Sequence, residues 1–212
     1  MTNSTVNEWY VFEHDTIDKA TCNKIKKWAK GKWKPSEVDT KKGITKEERK
    51  SGKNFDYKAD LKTRISDVAW CNEQWIFDLL FPYMYRANEQ AGWKYDIKGA
   101  ESAQITRYQK GGFYGFHSDG TGDHLSKFNI PDNKFLHGHV RKLSMSLMLN
   151  DNFDGGAFEF ACYSKEVCEV HPIKATRGSI IVFPSAMEHR VAPVIKGTRY
   201  SVVIWFVGPP FV

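Results

Sequence analysis

The chain has 212 residues, of which 41% are hydrophobic and 14% aromatic, and its formal net charge is +6. This composition predicts a folded globule and excludes an intrinsically disordered chain. No run of about 18 apolar residues occurs, so we expect no transmembrane helix. The first residues lack a basic region followed by an apolar one, so we expect no signal peptide. At this length we expect one domain over residues 1–212.

Cysteine usage predicts a reducing environment. The four cysteines are scattered along the chain and form no Cys-x-x-Cys pair. Such thiols are typical of cytoplasmic proteins, in which structural disulfides are rare. We therefore expect a cytoplasmic location.

Much of the positive charge lies between Lys41 and Lys53. Clusters of this kind bind nucleic-acid phosphates in some proteins and form solvated loops in others. Glu47 and Glu48 interrupt the cluster, and no aromatic residue lies within it. We therefore favour a solvated loop over a nucleic-acid patch.

The N-terminal part of the chain has helical periodicity. Thr16 is a candidate N-cap for the first helix. Residues 32–62 are polar and charged, which predicts a loop. A second helical stretch is expected from about Asp67 to Ala91, and Pro82 should kink it or divide it into two helices.

From Trp93 onward the hydrophobic periodicity changes to two, which is typical of strands. Turns that contain glycine separate the apolar stretches at regular intervals. Many short strands with regular turns predict a sandwich or a barrel. The expected strands are Gln104–Tyr108, Lys142–Asn150, Ala157–Ala161, Val167–Val170, Ser179–Phe183, His189–Pro193 and Arg199–Val207.

His117 and Asp119 form a His-x-Asp pair directly after a glycine-rich turn. Residues i and i+2 of an extended segment point to the same side, so both side chains can converge on one metal ion. By chance alone, the 7 His and 25 acidic residues of this chain would produce about 0.8 His-x-acid pairs. The pair by itself is therefore weak evidence, and a third ligand is needed.

His189 is the candidate third ligand, because it follows the apolar stretch 180–183 and a Pro-Ser turn. That order places it at the mouth of the expected sheet. A hydrogen-bonded histidine at the start of a strand is the alternative interpretation. Two His and one carboxylate can bind one face of Fe(II) and leave the other coordination positions open.

Arg199 begins the last apolar strand, where alternation places it on one face with Ser201. Burying its guanidinium without an anion would be costly. A dicarboxylate co-substrate could provide that anion through two parallel hydrogen bonds, with further hydroxyl donors from Ser201 and Tyr108. An internal salt bridge to an acid such as Glu159 is the alternative.

Together these residues form a pattern that resembles the Fe(II)/2-oxoglutarate-dependent dioxygenases. The resemblance is greatest to the prolyl 4-hydroxylase-type branch, including the compact bacterial and phage PKHD-type hydroxylases. For a protein of phage origin, the expected cytoplasmic location would be the host cytoplasm. The resemblance covers roughly Arg64 to Phe206, and the combined spacing is far more specific than any single motif. The matching stretches are Arg64-Ile-Ser66-x3-Trp70, Arg107-Tyr108-x4-Phe113-x3-His117-x-Asp119, Gly155-Gly156-x2-Glu159-Phe160 and Gly178-x4-Phe183-Pro184-Ser185-x3-His189-x-Val191-x-Pro193-Val194-x2-Gly197-x-Arg199-Tyr-Ser201.

The resemblance implies a mainly β, α+β fold. Its core would be a double-stranded β-helix (jelly-roll) over about residues 93–212, with supporting helices in about residues 1–92. The implied enzyme is an oxidoreductase, a dioxygenase that hydroxylates a C–H bond and releases succinate and CO2. Ascorbate (vitamin C) is the implied reductant of the iron. The implied ligands of Fe(II) are His117, Asp119 and His189, and the implied residues for 2-oxoglutarate are Arg199, Tyr108 and Ser201.

Substrate residues are less well specified. Collagen-type prolyl hydroxylases usually hold the distal carboxylate with Lys, whereas Arg199 occupies that place here, as in the PKHD-type enzymes. The segment 120–139 is expected to cover the substrate, with a plain exposed loop as the alternative. Its candidate contacts are His124, His137 and His139. Further substrate candidates are Arg64, Trp70 and Arg141, although a core position would suit Trp70 equally well.

Three functions fit this pattern. The first is hydroxylation of a protein or peptide, as by a prolyl hydroxylase. The second is modification of nucleic acid, which the basic charge supports, although no aromatic-rich base-flipping segment is evident. The third is a non-catalytic jelly-roll module that binds metal, but a structural metal would not need the anion clamp of Arg199. We favour the first, and the sequence specifies neither the hydroxylated position nor the oligomeric state.

Overall fold

The computed structural model describes residues 4–36, 63–120, 127–163 and 168–211, in which two helices and sixteen strands form. The helices are α1 (Lys19–Ala29) and α2 (Gln74–Gln90). The strands are β1 (Ser4–Val6), β2 (Val11–Glu13), β3 (Lys34–Pro35), β4 (Arg64–Ile65), β5 (Asp67–Cys71), β6 (Gly99–Ala100), β7 (Ala103–Tyr108), β8 (Phe113–His117), β9 (Val140–Met148), β10 (Phe153–Gly155), β11 (Phe158–Tyr163), β12 (Cys168–Ile173), β13 (Ile180–Pro184), β14 (His189–Val191), β15 (Val194–Gly197) and β16 (Arg199–Gly208). Within these ranges, neither helix has the length and apolar content needed to cross a membrane.

Two antiparallel sheets form the body of the protein. The major sheet has the order β1-β2-β13-β9-β16-β7-β5-β3, with β6 paired to β16. The minor sheet has the order β12-β11-β14-β8-β4, and β10 pairs with β15 beside them. Most neighbouring strands are distant in the chain, as expected for a double-stranded β-helix. The predicted fold class, a mainly β jelly-roll with supporting helices, is confirmed.

Alternation along β16 separates the two faces of the major sheet. Val202, Ile204 and Phe206 are buried in one cluster with the apolar residues of α1 and α2. The helices therefore cover the outer face of the major sheet. Arg199 and Ser201 lie on the opposite, inner face, which is the side that we expected them to share.

A second, strongly aromatic cluster lies between the inner faces of the two sheets. It includes residues from β2, β7 and β13 of the major sheet and from β11, β12 and β14 of the minor sheet. Close packing of such rings leaves little freedom for the strands that carry the candidate ligands. The members of this cluster are Tyr10, Phe12, Tyr108, Phe158, Phe160, Ile173, Ile181, Phe183, Val191 and Val194.

The N-terminal part contains more strand than the periodicity predicted. The helix expected from about residue 67 begins at residue 74 instead, and Asp67–Cys71 is strand β5, which pairs with β7. Pairing to an existing sheet outweighs the weak helical pattern of these few residues. In the predicted loop 32–62, Lys34–Pro35 forms strand β3 against β5. Residues 37–62 of that loop lie outside the described residues.

The predicted N-cap of the first helix is wrong, and of the two outcomes expected at Pro82 a division of the helix does not occur. Asp18, not Thr16, caps α1, because its side chain accepts a hydrogen bond from the Thr21 backbone N–H over 2.9 Å. Asp is the stronger capping residue, and it stands directly before the first helical turn. Pro82 lies within α2 without dividing it. Packing of the flanking turns against the sheet retains a continuous helix despite the missing N–H.

Gly178 joins the N-terminal segment to the major sheet. Its φ is +83°, and an added Cβ would lie 2.1 Å from the Ile17 carbonyl oxygen. We expect Gly178→Ala to lower the free energy of unfolding by about 2–4 kcal/mol, measured by urea denaturation. Gly92→Ala is the matched control, since Gly92 has φ +71° with no atom near the added Cβ. It should cost only about 1 kcal/mol, from the left-handed backbone alone. Equal losses in the two variants would contradict the steric explanation.

Candidate metal centre and co-substrate site

The three predicted ligands come together where the two sheets end. His117 closes β8 and His189 opens β14, and these two residues are direct register partners in the minor sheet. Asp119 follows two residues after His117. Its carboxylate oxygens lie 3.6 Å from His117 Nε2 and 3.6 Å from His189 Nε2. One ligand atom from each residue lies within 4.8 Å of the others, so the group could hold a metal ion.

Backbone carbonyls orient both imidazoles. His117 Nδ1 lies 2.8 Å from the Gly115 oxygen, and His189 Nδ1 lies 2.9 Å from the Met187 oxygen. A carbonyl oxygen can only accept, so each Nδ1 carries the hydrogen. Both Nε2 atoms then present a lone pair towards Asp119. This is the arrangement found for metal-binding histidines, in which the other ring nitrogen donates to a fixed acceptor.

Electrostatics favour the protonation states that a cation requires. Burial lowers the pKa of His189 to about 4, although the nearby Asp119 acts in the opposite direction. Burial also works against ionisation of Asp119, but His189, His117 and Arg141 hold the pKa of its carboxyl well below its usual range. At neutral pH the site therefore combines a neutral imidazole with a carboxylate, and that donor set suits Fe(II).

Aromatic rings surround the histidines. The Tyr114 ring stacks on His117 with centroids 3.5 Å apart, and Phe158 and Phe183 pack on His189 at 5.3 and 4.7 Å. Burial raises the pKa of Tyr114 to about 12. These rings limit the access of water to the ligand atoms. Tyr114 was not singled out from the sequence, although its place three residues before His117, on the same strand, was a usable signal.

A buried arginine, Arg199, lies on the inner face of the major sheet. It is 1% exposed, and its Nη1 donates to Ser201 Oγ over 2.9 Å. Its Nε and Nη2 are buried and have no hydrogen-bond partner among the described residues. Tyr108 is its register partner on β7, with the ring centroid 5.5 Å from the guanidinium carbon. Burial lowers the pKa of Arg199 to about 10, so the group stays charged at neutral pH.

Among the described residues, no acid forms the salt bridge to Arg199 that was the alternative. Glu159 instead accepts a hydrogen bond from Arg190 Nε over 2.5 Å. Buried N–H groups without acceptors are rare because each one loses its bond to water. Two of them on one charged, planar group indicate an anion with two oxygens. The residues present therefore fit both an Fe(II) ion and the distal carboxylate of 2-oxoglutarate.

The candidate substrate residues flank this site in different ways. Arg64 is buried, donates to Gln104 Oε1 over 2.8 Å and covers the Tyr114 ring at 4.6 Å. Trp70 is 52% exposed, so a core position is excluded for it. Arg141 donates to both carboxylate oxygens of Glu101 and, over 3.2 Å, to the Asp119 carbonyl oxygen. Contact of these three side chains with substrate stays a prediction.

His137 and His139, in the described part of segment 120–139, are not among the ligands of the metal group. His137 is exposed, and His139 Nδ1 lies 2.5 Å from the Phe135 carbonyl oxygen. His124 lies outside the described residues. Contact of these three histidines with substrate therefore stays a prediction.

Two relationships with known proteins agree with this geometry. Residues 103–207 match the family model of the 2OG-Fe(II) oxygenase superfamily. A PKHD-type hydroxylase of Xylella fastidiosa (strain M12) is 36% identical over 105 residues, covering 48% of this chain and 42% of the relative. One from Stenotrophomonas maltophilia is 30% identical over 102 residues, covering 48% and 41%. The matched stretch thus spans less than half the length of these curated relatives.

Solved structures show the same fold. A Pseudomonas putida prolyl-4-hydroxylase has a TM-score of 0.62 at 17% identity, covering 93% of this chain and 91% of that one. A Trichoplax adhaerens prolyl hydroxylase, in complex with a peptide fragment of the hypoxia inducible factor oxygen degradation domain, has a TM-score of 0.64 at 16% identity, covering 94% and 83%. The viral collagen prolyl hydroxylase of Paramecium Bursaria Chlorella virus-1 has a TM-score of 0.61 at 16% identity, covering 94% and 96%.

The family match and the site coincide in the chain. The matched residues 103–207 include both histidines of the metal group, its aspartate, and the buried arginine with its neighbours. This family implies Fe(II) and 2-oxoglutarate, for which the site has a fitting donor set. Residues 103–207 therefore belong to the 2OG-Fe(II) oxygenase superfamily, and the chain is similar there to PKHD-type hydroxylases.

Proposed function

We propose that the protein hydroxylates a C–H bond of a protein or peptide with Fe(II) and 2-oxoglutarate, and that it releases succinate and CO2. The observation that carries the proposal is the buried guanidinium of Arg199, whose Nε and Nη2 have no hydrogen-bond partner among the described residues, together with the group His117, Asp119 and His189. A metal site alone would fit many proteins. A metal site accompanied by a buried anion clamp fits a dicarboxylate co-substrate.

His117 Nε2, His189 Nε2 and one oxygen of Asp119 would hold the iron. Bound Fe(II) supplies the activation of oxygen that converts 2-oxoglutarate to succinate and CO2 and oxidises the substrate. The protein contributes fixed ligand directions through the Gly115 and Met187 carbonyls. It also excludes water from the histidines through the surrounding rings, which strengthens every charge interaction in the site.

Arg199 would bind the distal carboxylate of 2-oxoglutarate through its free Nε and Nη2. Ser201 Oγ accepts a hydrogen bond from Arg199 Nη1, which fixes the orientation of the guanidinium. The hydroxyl hydrogen of Ser201 remains available to donate to the same carboxylate. Tyr108, opposite Arg199 in the sheet, would add its hydroxyl. A bidentate contact of this kind gives both charge neutralisation and orientation.

A peptide or protein is the substrate class that we favour, and proline is the residue type to test first. The peptide bound to the Trichoplax adhaerens enzyme supports this choice. Trp70 is exposed, and its ring lies 6.2 Å from that of Trp205, which the Arg141 guanidinium covers at 4.3 Å. We propose that this aromatic surface, with Arg64 and Arg141, binds such a chain. We further propose that segment 120–139 covers the substrate, that ascorbate keeps the iron reduced, and that the protein acts in the cytoplasm.

Residues 1–212 would act as a single dioxygenase domain. Strands of the N-terminal part enter the same sheet as the jelly-roll strands, since β2 pairs with β13 and β5 pairs with β7. The helices α1 and α2 share one core with that sheet. A break between the two parts would expose this common core, so neither part is expected to be stable alone.

The proposal is tested by anaerobic titration of 2-oxoglutarate into Fe(II)-loaded protein. We expect the visible metal-to-ligand band of a chelated keto acid in the wild type and no band in His117→Ala. Succinate release would then be measured with proline-containing peptides. A folded, iron-loaded protein without the band would leave a metal-binding jelly-roll module and reject the oxygenase.

Nucleic acid is the alternative substrate, and one observation favours it. Residues 19–34, which form α1 and lead into β3, carry seven lysines and no acidic residue. A basic surface of this density attracts phosphates. Oligonucleotides therefore belong in the same succinate assay. Stimulation by oligonucleotides, with none by peptides, would replace the peptide assignment.

A further inference from the structure

Two buried serines reach the candidate metal site from the major sheet. Ser144 lies in β9 and is 0% exposed, and Ser185 follows β13 and is 1% exposed. Ser144 Oγ lies 2.7 Å from Asp119 Oδ2 and 2.9 Å from Ser185 Oγ. An ionised carboxylate can only accept, so Ser144 donates its single hydrogen to Asp119. Ser185 must therefore donate to Ser144, and the direction of the whole relay is fixed.

Ser185 also holds the main chain of the ligand segment. Its carbonyl oxygen accepts from the backbone N–H groups of Asp119 and Gly120, each over 2.9 Å. Its own N–H donates to the Lys142 carbonyl over 3.0 Å, which ties it to β9. Asp119 is thus held at its backbone by Ser185 and at its side chain by Ser144.

The two carboxylate oxygens of Asp119 are consequently unlike each other. Oδ2 accepts the hydrogen bond from Ser144. Oδ1 accepts no hydrogen bond from a described residue, and His117 Nε2 lies 3.6 Å from it. Oδ2 lies at the same distance, 3.6 Å, from His189 Nε2. The hydrogen bond from Ser144 therefore restrains rotation of the carboxylate and holds one oxygen towards each imidazole.

We propose that Ser144 and Ser185 are positioning residues that hold the Asp119 carboxylate in the orientation in which it would bind the metal. Ligating carboxylates are commonly held by hydrogen bonds of this kind. Ser144 acts on the carboxylate, and Ser185 acts on Ser144 and on the backbone. This inference rests on the proposed function, because it assigns a role within the same metal site.

The test uses Mn(II) as the probe, with free Mn(II) measured from its electron paramagnetic resonance signal. Ser144→Ala is expected to raise the Kd for Mn(II) about tenfold, as for loss of other residues that orient a metal ligand. Ser185→Ala should raise it less, because Ser144 remains. Ser144→Thr keeps the hydroxyl and should restore binding.

Ser146→Ala is the matched control. Ser146 is buried two residues further along β9, and it makes no hydrogen bond to Asp119. The Ser146→Ala variant should bind Mn(II) with the Kd of the wild type. The urea unfolding midpoint of each variant shows whether its fold is retained. Equal Kd values for Ser144→Ala and Ser146→Ala would overturn the inference alone. Wild-type binding no tighter than that of Asp119→Ala would overturn the proposed function and this inference with it.

Discussion

Asp119→Ala is expected to abolish metal-dependent turnover while the apo protein stays folded. The variant loses the negative ligand of the group, and two neutral imidazoles alone bind a divalent cation weakly. The carboxylate side chain is 6% exposed and lies beside two histidines, not in the apolar core. Its removal therefore creates no large cavity and leaves no unpaired charge. Turnover would be measured as succinate release, and the fold by circular dichroism.

Metal-induced stabilisation provides a second measurement for the same variant. A ligand that binds only the folded state at a hundred times its Kd stabilises by about 2.7 kcal/mol. Mn(II) should therefore raise the Tm of the wild type and leave the Tm of Asp119→Ala unchanged. Asp154→Ala, which removes an exposed aspartate from β10, is the control and should respond as the wild type does. Retained turnover in Asp119→Ala would reject its role as a ligand.

Strand alternation accounts for most of the site that was predicted from sequence. His117 and Asp119 are two residues apart at the end of β8, and their side chains approach to 3.6 Å. Arg199 and Ser201 share the inner face for the same reason. Alternation is a local property, and so it is readable without knowing which strands pair. The placement of His189 also followed locally, from the apolar strand and turn that precede it.

The parts that were missed depend on pairing between distant segments. Ser144 contacts Asp119 only because β9 pairs with β13, and because the backbone of Asp119 is bonded to Ser185 at the end of β13. Nothing near Ser144 in the chain indicates that contact. Strand β5 was mistaken for helix because its extended form is stabilised by β7, which is more than thirty residues further on. Pairing of this kind is a property of the whole fold, and local periodicity does not report it.

Arg199→Met is expected to weaken 2-oxoglutarate binding strongly without destabilising the apo protein. Losing one partner of a buried, hydrogen-bonded charge pair costs about 2–5 kcal/mol, which is roughly 30-fold to several thousand-fold in Kd. In the apo protein, however, Nε and Nη2 have no acceptor among the described residues. Replacing them with a thioether of similar length removes buried, unsatisfied donors, so the free energy of unfolding should stay equal or rise.

The two measurements separate the co-substrate clamp from an internal salt bridge. If Arg199 instead formed an internal salt bridge, its substitution would lower the free energy of unfolding by about 3–5 kcal/mol. The 2-oxoglutarate Kd would then stay unchanged. Arg190→Met supplies that comparison, because Arg190 does pair with Glu159. It should leave 2-oxoglutarate binding intact, and its partly exposed pair should contribute little to stability. An unaltered 2-oxoglutarate Kd in Arg199→Met would show that Arg199 does not bind the co-substrate. The main observation in favour of an oxygenase would then be lost.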